Sequence, residues 1–141
     1  MPETKNACRL VTPQPGSVGP QALFYQPGVS RQTTGAVGIH MQLATIPARS
    51  QGKAHKHEHH ETAIYAISGT TGVRFGEQLE HDLEVPEGSF LYIPADLPHL
   101  PYNATDASAT VVIARTDACD PEGVVMLPDL DQDVLSAKSL N

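Results

Sequence analysis

The segment HKHEHHE, residues 55–61, holds four of the seven histidines of this 141-residue chain. Side chains two residues apart on a β-strand point to the same face, so His55 and His57 can present two imidazoles side by side while Lys56 points away. Imidazole is a common ligand of zinc, nickel, copper, iron and cobalt. Because such an ion needs three or four ligands, the segment predicts a metal site that a distant part of the chain completes.

A second segment, GSFLYIPADLPHLPYN at residues 88–103, offers that distant ligand. It has the pattern of a strand that runs into a proline turn and then delivers a single histidine, His99. A lone H-x-H pair is more often a solvated surface loop that binds metal adventitiously. The presence of a second histidine-bearing turn favours a built site over that alternative.

The rest of the chain consists of short runs with β character. The 12 prolines and 11 glycines interrupt it often, and no long stretch has the apolar spacing of a helix. Residues 37–46 alternate in character, and further strand-like runs lie at residues 62–67, 72–75, 89–93 and 108–114. We therefore predict an all-β fold, either an antiparallel sandwich or a barrel.

The alternating stretch at residues 37–46 has two unlike faces. One face carries Val37, Ile39, Met41 and Leu43, and the other carries His40, Gln42 and Ala44. Because ligand cavities are mostly apolar, the large residues of the chain are candidates for a cavity lining, although ordinary core is the better interpretation of each one. These candidates are Phe24, Tyr25, Met41, Leu43, Tyr65, Phe75, Phe90, Tyr92 and Tyr102. His40 is a candidate catalytic proton carrier if it points inward, and a solvent-facing His40 is an equal alternative.

The length and the net charge of the chain indicate a single-domain protein that does not bind nucleic acids. A mass of 15.1 kDa predicts one domain over residues 1–141, since such a chain can bury one core but not two. The balance of 9 Lys plus Arg against 16 Asp plus Glu, a formal net charge of -7, disfavours nucleic acids and anionic membranes as partners. The N-terminus lacks the pattern of a secretion signal, so we expect a cytoplasmic protein.

The two ends of the chain differ from its middle. Residues 11–20 have the composition of an extended arm, and residues 128–141 that of an acidic tail with one helical turn. Cys8 and Cys119 are too few for a disulfide framework. We expect both thiols to be reduced, with a bridge between them as the alternative.

The second histidine segment resembles the second motif of the cupin superfamily, G(X)5PxG(X)2H(X)3N. Its matches at the family's spacing are Gly88, Pro94, His99 and Asn103. Asp96 stands where the family usually has glycine, so the turn must reach its geometry in another way.

The first histidine segment resembles the first cupin motif, G(X)5HxH(X)3,4E(X)6G. His55, His57 and Gly69 match it, and Glu61 matches at the shorter spacing, whereas Thr62 occupies the longer one. Arg49 stands in the place of the leading glycine, with Gly52 nearby.

The resemblance extends over residues 37–115, the expected core of the domain. It implies an antiparallel double-stranded β-helix, the cupin jelly-roll β-barrel, with a divalent transition metal in its cavity. The implied ligands are His55, His57 and His99 with one further group, for which His60 is preferred over His59 and Glu61. Zinc is the first choice of ion, with nickel, iron, cobalt and manganese as alternatives. An all-histidine site would leave Glu61 free to act as a catalytic base.

The arrangement H-x-H-x-x-H-E-T resembles small bacterial cupins that include the polyketide cyclases of resistomycin and tetracenomycin type. This implies an enzyme of antibiotic biosynthesis that closes a ring of an aromatic polyketide intermediate by aldol chemistry, with the metal as Lewis acid. A metal-dependent dioxygenase or isomerase and a non-catalytic binding module are the alternatives. The resemblance also implies a homodimer, in which the arm at residues 11–27 could pair with an exposed sheet edge.

Overall fold

The computed structural model describes residues 7–13, 15–19, 22–118 and 123–139, and side chains up to residue 136. These residues form twelve strands, two short α-helices, α1 (Arg31–Thr34) and α2 (Val134–Ser139), and a 3-10 turn at Pro128–Leu130. The strands are β1 (Ser17–Val18), β2 (Phe24–Val29), β3 (His40–Ile46), β4 (Ser50–Gln51), β5 (His55–His57), β6 (Thr62–Ser68), β7 (Thr71–Phe75), β8 (His81–Val85), β9 (Phe90–Ile93), β10 (His99–Asn103), β11 (Ala109–Arg115) and β12 (Val124–Met126).

The strands form two sheets whose pairings are antiparallel. The first sheet has the order β1-β2-β3-β11-β6-β9, and the second has the order β12-β5-β10-β7-β8, with β4 also paired to β10. Strands that follow each other along the chain, such as β6 and β7, lie in different sheets, so the chain winds around a shared interior. This topology confirms the predicted all-β jelly roll.

The core lies between the sheets and extends beneath the C-terminal segment. Ala44, Ala66, Val85 and Val111 form one buried cluster. A second cluster contains Ala54, Leu79, Leu100, Tyr102 and Val134. Because Val134 belongs to α2, the acidic C-terminal segment is docked on the barrel by apolar burial. Two hydrogen bonds support it, from Ala54 N to Asp131 Oδ1 (2.7 Å) and from Val134 N to Gln51 Oε1 (3.1 Å).

The inward face of β3 is its polar face. His40 and Gln42 are 1% and 6% exposed, whereas Met41 and Ile39 are 48% and 62% exposed. The candidates Met41 and Leu43 are therefore not among the described residues that line the cavity, whereas the candidate Tyr25 is. Alternation along a strand separates two faces, but the position of the second sheet decides which of them turns inward.

Two family-motif positions that lack glycine keep the glycine conformation. Asp96 has φ 66° and Arg49 has φ 52°, both in the left-handed region that glycine enters most easily. Asp96 N donates to His57 O (2.9 Å), and Arg49 N donates to Thr105 O (3.0 Å). These hydrogen bonds stabilise the turns next to the histidine segments, although Asp96 and Arg49 carry side chains that disfavour the left-handed conformation.

The N-terminal arm pairs within its own chain. Ser17 and Val18 pair with Tyr25 and Phe24, and β2 pairs with β3, so this part of the arm forms an edge of the first sheet. The arm's predicted pairing with a partner's edge stays a prediction.

The two cysteines lie near the two ends of the chain. Cys8 is an exposed free thiol, and Cys119 lies outside the described residues, so its state stays a prediction. Among the residues that the structure describes, none of the helices has the length and hydropathy needed to cross a membrane.

Candidate metal centre

Three histidines from the two predicted segments meet between the sheets. His55 and His57 lie on β5, and His99 begins β10, where it pairs with His55. One ring nitrogen of each lies within 4.8 Å of the others. The His99 ring centroid is 4.3 Å from that of His55 and 5.0 Å from that of His57, and all three rings are buried. The fold thus completes the H-x-H pair with the distant histidine.

Two of the three rings are oriented by backbone carbonyls. His55 Nδ1 lies 2.7 Å from Lys53 O, and His99 Nδ1 lies 2.9 Å from Leu97 O. Because a carbonyl oxygen only accepts, each Nδ1 carries the proton and each Nε2 keeps its lone pair for a ligand. Three buried imidazoles, two of them oriented in this way, fit a divalent transition metal.

His60 is buried beside this group and contacts Asp117. Its ring centroid is 5.1 Å from that of His57, and its Nδ1 lies 3.8 Å from Asp117 Oδ2. Among the described residues, the group of mutually close ligand atoms comprises His55, His57 and His99 without His60. The role of His60 as fourth ligand stays a prediction, and Asp117 is a neighbour that the sequence did not reveal.

A sharp turn explains why the adjacent His59 and His60 differ in burial. His59 has φ 67°, and this left-handed residue reverses the chain between β5 and β6. As a result the side chain of His59 is 87% exposed and that of His60 is 4% exposed. The expectation that only one of the two points inward agrees with this turn.

The three histidines open on a cavity between the sheets. The centre of a water molecule can occupy about 60 Å³ of it. Its other polar lining residues are Tyr25, Thr62 and Thr71, and the remainder are apolar. None of the described residues that line it is an Asp, Glu, Lys or Arg. The centre therefore faces an apolar space whose charge would come mainly from a bound ion.

The family to which the chain belongs follows from comparison of its sequence with known families. The cupin domain pattern matches residues 42–114, which include all three histidines and most of the residues that line the cavity. The chain is a member of the cupin family. A search of curated protein sequences gives no match.

Solved structures similar to this cupin include oxalate decarboxylases. The S161A mutant of the Bacillus subtilis enzyme has a TM-score of 0.64 at 16% identity, over 85% of this chain and 30% of that one. A structure of the same enzyme studied for its Mn(II) centres gives 0.65 at 15%, with the same coverage. The Lactobacillus farciminis enzyme in complex with formate gives 0.66 at 15%, over 83% of this chain and 33% of that one. This cupin thus spans about a third of their length, and at such identity the likeness shows the fold.

A second cavity of this cupin adjoins the first at His99. Its volume, measured in the same way, is about 180 Å³. It shares Val73, Leu91, Ile93 and His99 with the inner cavity, and adds Phe75, Leu83, Tyr92, Pro94 and Leu97. The histidine centre therefore lies next to a second, largely apolar space.

Glu61, the predicted catalytic base, lies away from the cavity lining. It is exposed, and its Oε1 accepts a hydrogen bond from the Tyr92 hydroxyl (2.7 Å). Its role as a base stays a prediction, which this conformation does not support. Glu61 directly follows the buried His60, and neighbouring side chains point to opposite sides here. Therefore His60 points inward and Glu61 points outward.

His40, the predicted proton carrier, is buried on strand β3 of the first sheet. It is 1% exposed and lies opposite Arg115 on the neighbouring strand β11. His40 is not one of the described residues that line the inner cavity. Its catalytic role therefore stays a prediction.

The contact between Glu61 and Tyr92 predicts a pH effect. The hydrogen bond to Glu61 raises the pKa of Tyr92, with partial burial and the negative charge of Glu61 as further causes. Because the folded pKa is raised, the associated stability is present below the ordinary tyrosine pKa and is lost as pH rises through the raised value. We expect Glu61→Ala to lower the pKa of Tyr92 in an absorbance titration of tyrosinate. The difference between the titrations of the unmodified protein and Tyr92→Phe gives the part of the absorbance that comes from Tyr92. An unchanged titration in Glu61→Ala would contradict the hydrogen bond between Glu61 and Tyr92.

Proposed function

We propose that this cupin is a metal-dependent enzyme that acts on a carbonyl group of a small, uncharged and largely apolar molecule. His55, His57 and His99 would hold a divalent transition metal through their Nε2 atoms or equivalent ring nitrogens. The observation that carries the proposal is the opening of three buried imidazoles on a cavity that, among the described residues, no Asp, Glu, Lys or Arg lines.

The chemistry of the bound ion defines the reaction class. A divalent ion in such a site supplies Lewis acidity, which polarises a carbonyl and stabilises an enolate. Zinc is our first choice, because three histidines with an open position are typical of its catalytic sites. Manganese belongs in any test, because one similar oxalate decarboxylase structure is described by its Mn(II) centres.

The charge of the cavity favours a neutral substrate over oxalate. Oxalate is a small dianion, and burial of an ion is costly unless charges of opposite sign surround it. The lining contains no Lys or Arg among the described residues, so the metal alone would have to offset both negative charges. A ketone or β-diketone needs no such compensation.

The two cavities fit a molecule that is larger than its reacting segment. A water molecule needs roughly 10–15 Å³ by this measure, so the inner space of about 60 Å³ has room for only a few non-hydrogen atoms. The outer space of about 180 Å³ has room for more, and the two share His99. A β-dicarbonyl segment could lie at the histidines while the rest of the molecule occupies the outer cavity.

A poly-β-keto intermediate is the substrate class that we propose. Its methylene groups between carbonyls are mildly acidic, so aldol ring closure needs an enolate-stabilising site and one enforced conformation. Orientation by an apolar cavity can lower the barrier by roughly 7–11 kcal/mol in the best intramolecular cases. The chain's own contribution is this orientation together with the exclusion of water.

The identity of the base is open to a direct test. Glu61 could serve only if its carboxylate left Tyr92 and turned inward. Loss of turnover in Glu61→Gln at unchanged metal content would support Glu61 as the base. Unchanged turnover in this variant would remove Glu61 from the mechanism.

The function is tested by supplying a polyketide synthase with and without this cupin and comparing the ring patterns of the products. We expect additional cyclised products with the zinc-loaded protein, none with His57→Ala, and full activity in His59→Ala. An unchanged product spectrum with zinc, nickel, cobalt, iron and manganese forms would contradict the cyclase. Oxygen consumption by the iron form would indicate a dioxygenase, and release of carbon dioxide from oxalate would indicate a decarboxylase.

A further inference from the structure

The hydroxyl of Thr62 is buried in the wall of the inner cavity. Thr62 is the first residue of β6, is 4% exposed and lines the cavity together with His55, His57 and His99. None of the described residues forms a hydrogen bond with its Oγ1. Most buried polar side chains have a partner, because a buried hydroxyl without one lowers the stability of the protein. Thr62 is therefore a candidate for an interaction with a molecule that enters the cavity.

The packing of β6 turns Thr62 toward the cavity. Ile64, two residues further along β6, also lines the cavity, and so does Ile93, which pairs with Thr62 on β9. Residues two apart on a strand share a face, so Thr62 and Ile64 both point between the sheets. Glu61 and Ala63, on either side of Thr62, are exposed. The direction of the Thr62 side chain is thus set by the sheet and not by a loop.

Threonine gives this position a neutral hydroxyl instead of a carboxylate. In the first cupin motif the acidic residue has one of two spacings, which Glu61 and Thr62 occupy here, and Glu61 is exposed. A hydroxyl can donate a hydrogen bond, whereas an ionised carboxylate can only accept. Carbonyl and enolate oxygens are acceptors. The threonine therefore suits a ligand that brings such an oxygen into the cavity.

The size and polarity of the inner cavity make this hydroxyl selective. Most of the lining is apolar, and the space of about 60 Å³ has room for only a few non-hydrogen atoms. A ligand group that reaches the three histidines thus lies in the same small space as Thr62. A hydrogen bond is stronger in such an apolar site than in water, and a molecule without an acceptor would leave the hydroxyl unpaired.

We propose that Thr62 is a specificity-determining residue, whose hydroxyl donates a hydrogen bond to a carbonyl or enolate oxygen of the substrate. The inference rests on the proposed function and names the side chain that recognises the substrate there. A β-dicarbonyl segment has two such oxygens, so one can lie at the three histidines while the other accepts from Thr62. Hydrogen bonds to a charged acceptor are stronger than those to a neutral one, so Thr62 favours the enolate over the ketone.

Binding of acetylacetone, a small neutral β-diketone, to the zinc-loaded protein tests this role by isothermal titration calorimetry. Thr62→Val replaces the hydroxyl with a methyl group, and we expect a dissociation constant about 10-fold higher. Thr62→Ser keeps the hydroxyl and should stay within about 2-fold of the unmodified protein. Elemental analysis should give the same zinc content in all three proteins. Thr62→Ala provides the comparison if the valine variant does not fold.

The same substitution should not destabilise the free protein. Thr62→Val removes a buried hydroxyl that has no partner among the described residues, so the thermal midpoint of the metal-free variant should equal or exceed that of the unmodified chain. A residue with a merely structural role would lose stability and binding together. Thr110→Val is the matched control on β11 of the same sheet. Its neighbours Val111 and Ile113 alternate with it and line the cavity, so Thr110 faces away and its replacement should leave the dissociation constant unchanged.

Three results would contradict the proposal, and they separate it from the proposed function. Equal dissociation constants in Thr62→Val and the unmodified protein would overturn the role of the hydroxyl and leave the proposed function intact. Loss of zinc from Thr62→Val would show that Thr62 acts on the ion and not on the substrate. An unmodified zinc form that binds acetylacetone no more tightly than the metal-free protein would overturn the carbonyl chemistry together with the role of Thr62.

Discussion

Replacement of His99 with alanine should abolish the stabilisation of this cupin by divalent metal. His99 brings the third imidazole from a different segment, and its Nδ1 contact with Leu97 O orients the other nitrogen for a ligand. A metal that binds only the folded state adds about 2.7 kcal/mol at a concentration 100 times its dissociation constant. Thermal unfolding with zinc and with a chelator, together with elemental analysis, measures this difference. The unmodified protein should show it, and His99→Ala should not.

The neighbouring histidines provide the controls for this experiment. His59→Ala removes a side chain that is 87% exposed and should leave both metal content and metal-dependent stabilisation intact. His60→Ala decides whether His60 is the fourth ligand. A loss comparable to that of His99→Ala would support that role, and a small loss would restrict the centre to His55, His57 and His99. One ion per chain in purified His99→Ala would refute the site.

Asn103→Ala should cause the second large effect, a loss of folding stability. Asn103 is fully buried, and its Nδ2 donates to Ile46 O (2.9 Å) and Ala107 O (2.8 Å). Its Oδ1 accepts from Thr105 N (2.9 Å) and from Thr105 Oγ1 (2.7 Å). Alanine would remove these four hydrogen bonds, while the bond from Thr105 Oγ1 to Ala107 O (2.9 Å) would remain. Since each buried polar group left unsatisfied costs about 1–3 kcal/mol, we expect a total loss of roughly 3 kcal/mol.

Urea unfolding of the metal-free protein measures the effect of Asn103→Ala. Asp106→Ala, which removes a side chain 86% exposed in the same loop, is the matched control and should leave the unfolding midpoint almost unchanged. An equally small shift in Asn103→Ala would mean that the hydrogen bonds of Asn103 do not hold the loop. Asn103 would then match the family motif in spacing without stabilising the loop.

Several strands could be predicted from local pattern alone. The runs at residues 62–67, 72–75, 89–93 and 108–114 correspond to β6, β7, β9 and β11 within a residue or two of each end. Their β-branched and aromatic residues, with turns between them, suit half-buried strands. The strand His81–Val85 was missed because four of its five residues are exposed, so it shows no alternation that marks a buried face.

The sequence by itself determined the all-β class and the shared face of His55 and His57, because both follow from the two-residue period of a strand. The jelly-roll fold and the meeting of these histidines with His99 were implied by the resemblance of the two segments to the cupin motifs. Even Arg49 and Asp96 keep the left-handed turns where glycine is usual.

The tertiary structure alone decided which face of each strand is inside. The burial or exposure of Met41, His40 and Glu61 depends on that choice. A strand offers two faces with the same period, and only the opposing sheet selects the one that is buried. It turned Glu61 outward to Tyr92, His60 inward to Asp117, and the apolar face of β3 toward solvent. Burial is a property of the packed sheets and not of any one segment, so the lining of the cavity is decided only when both sheets are in place.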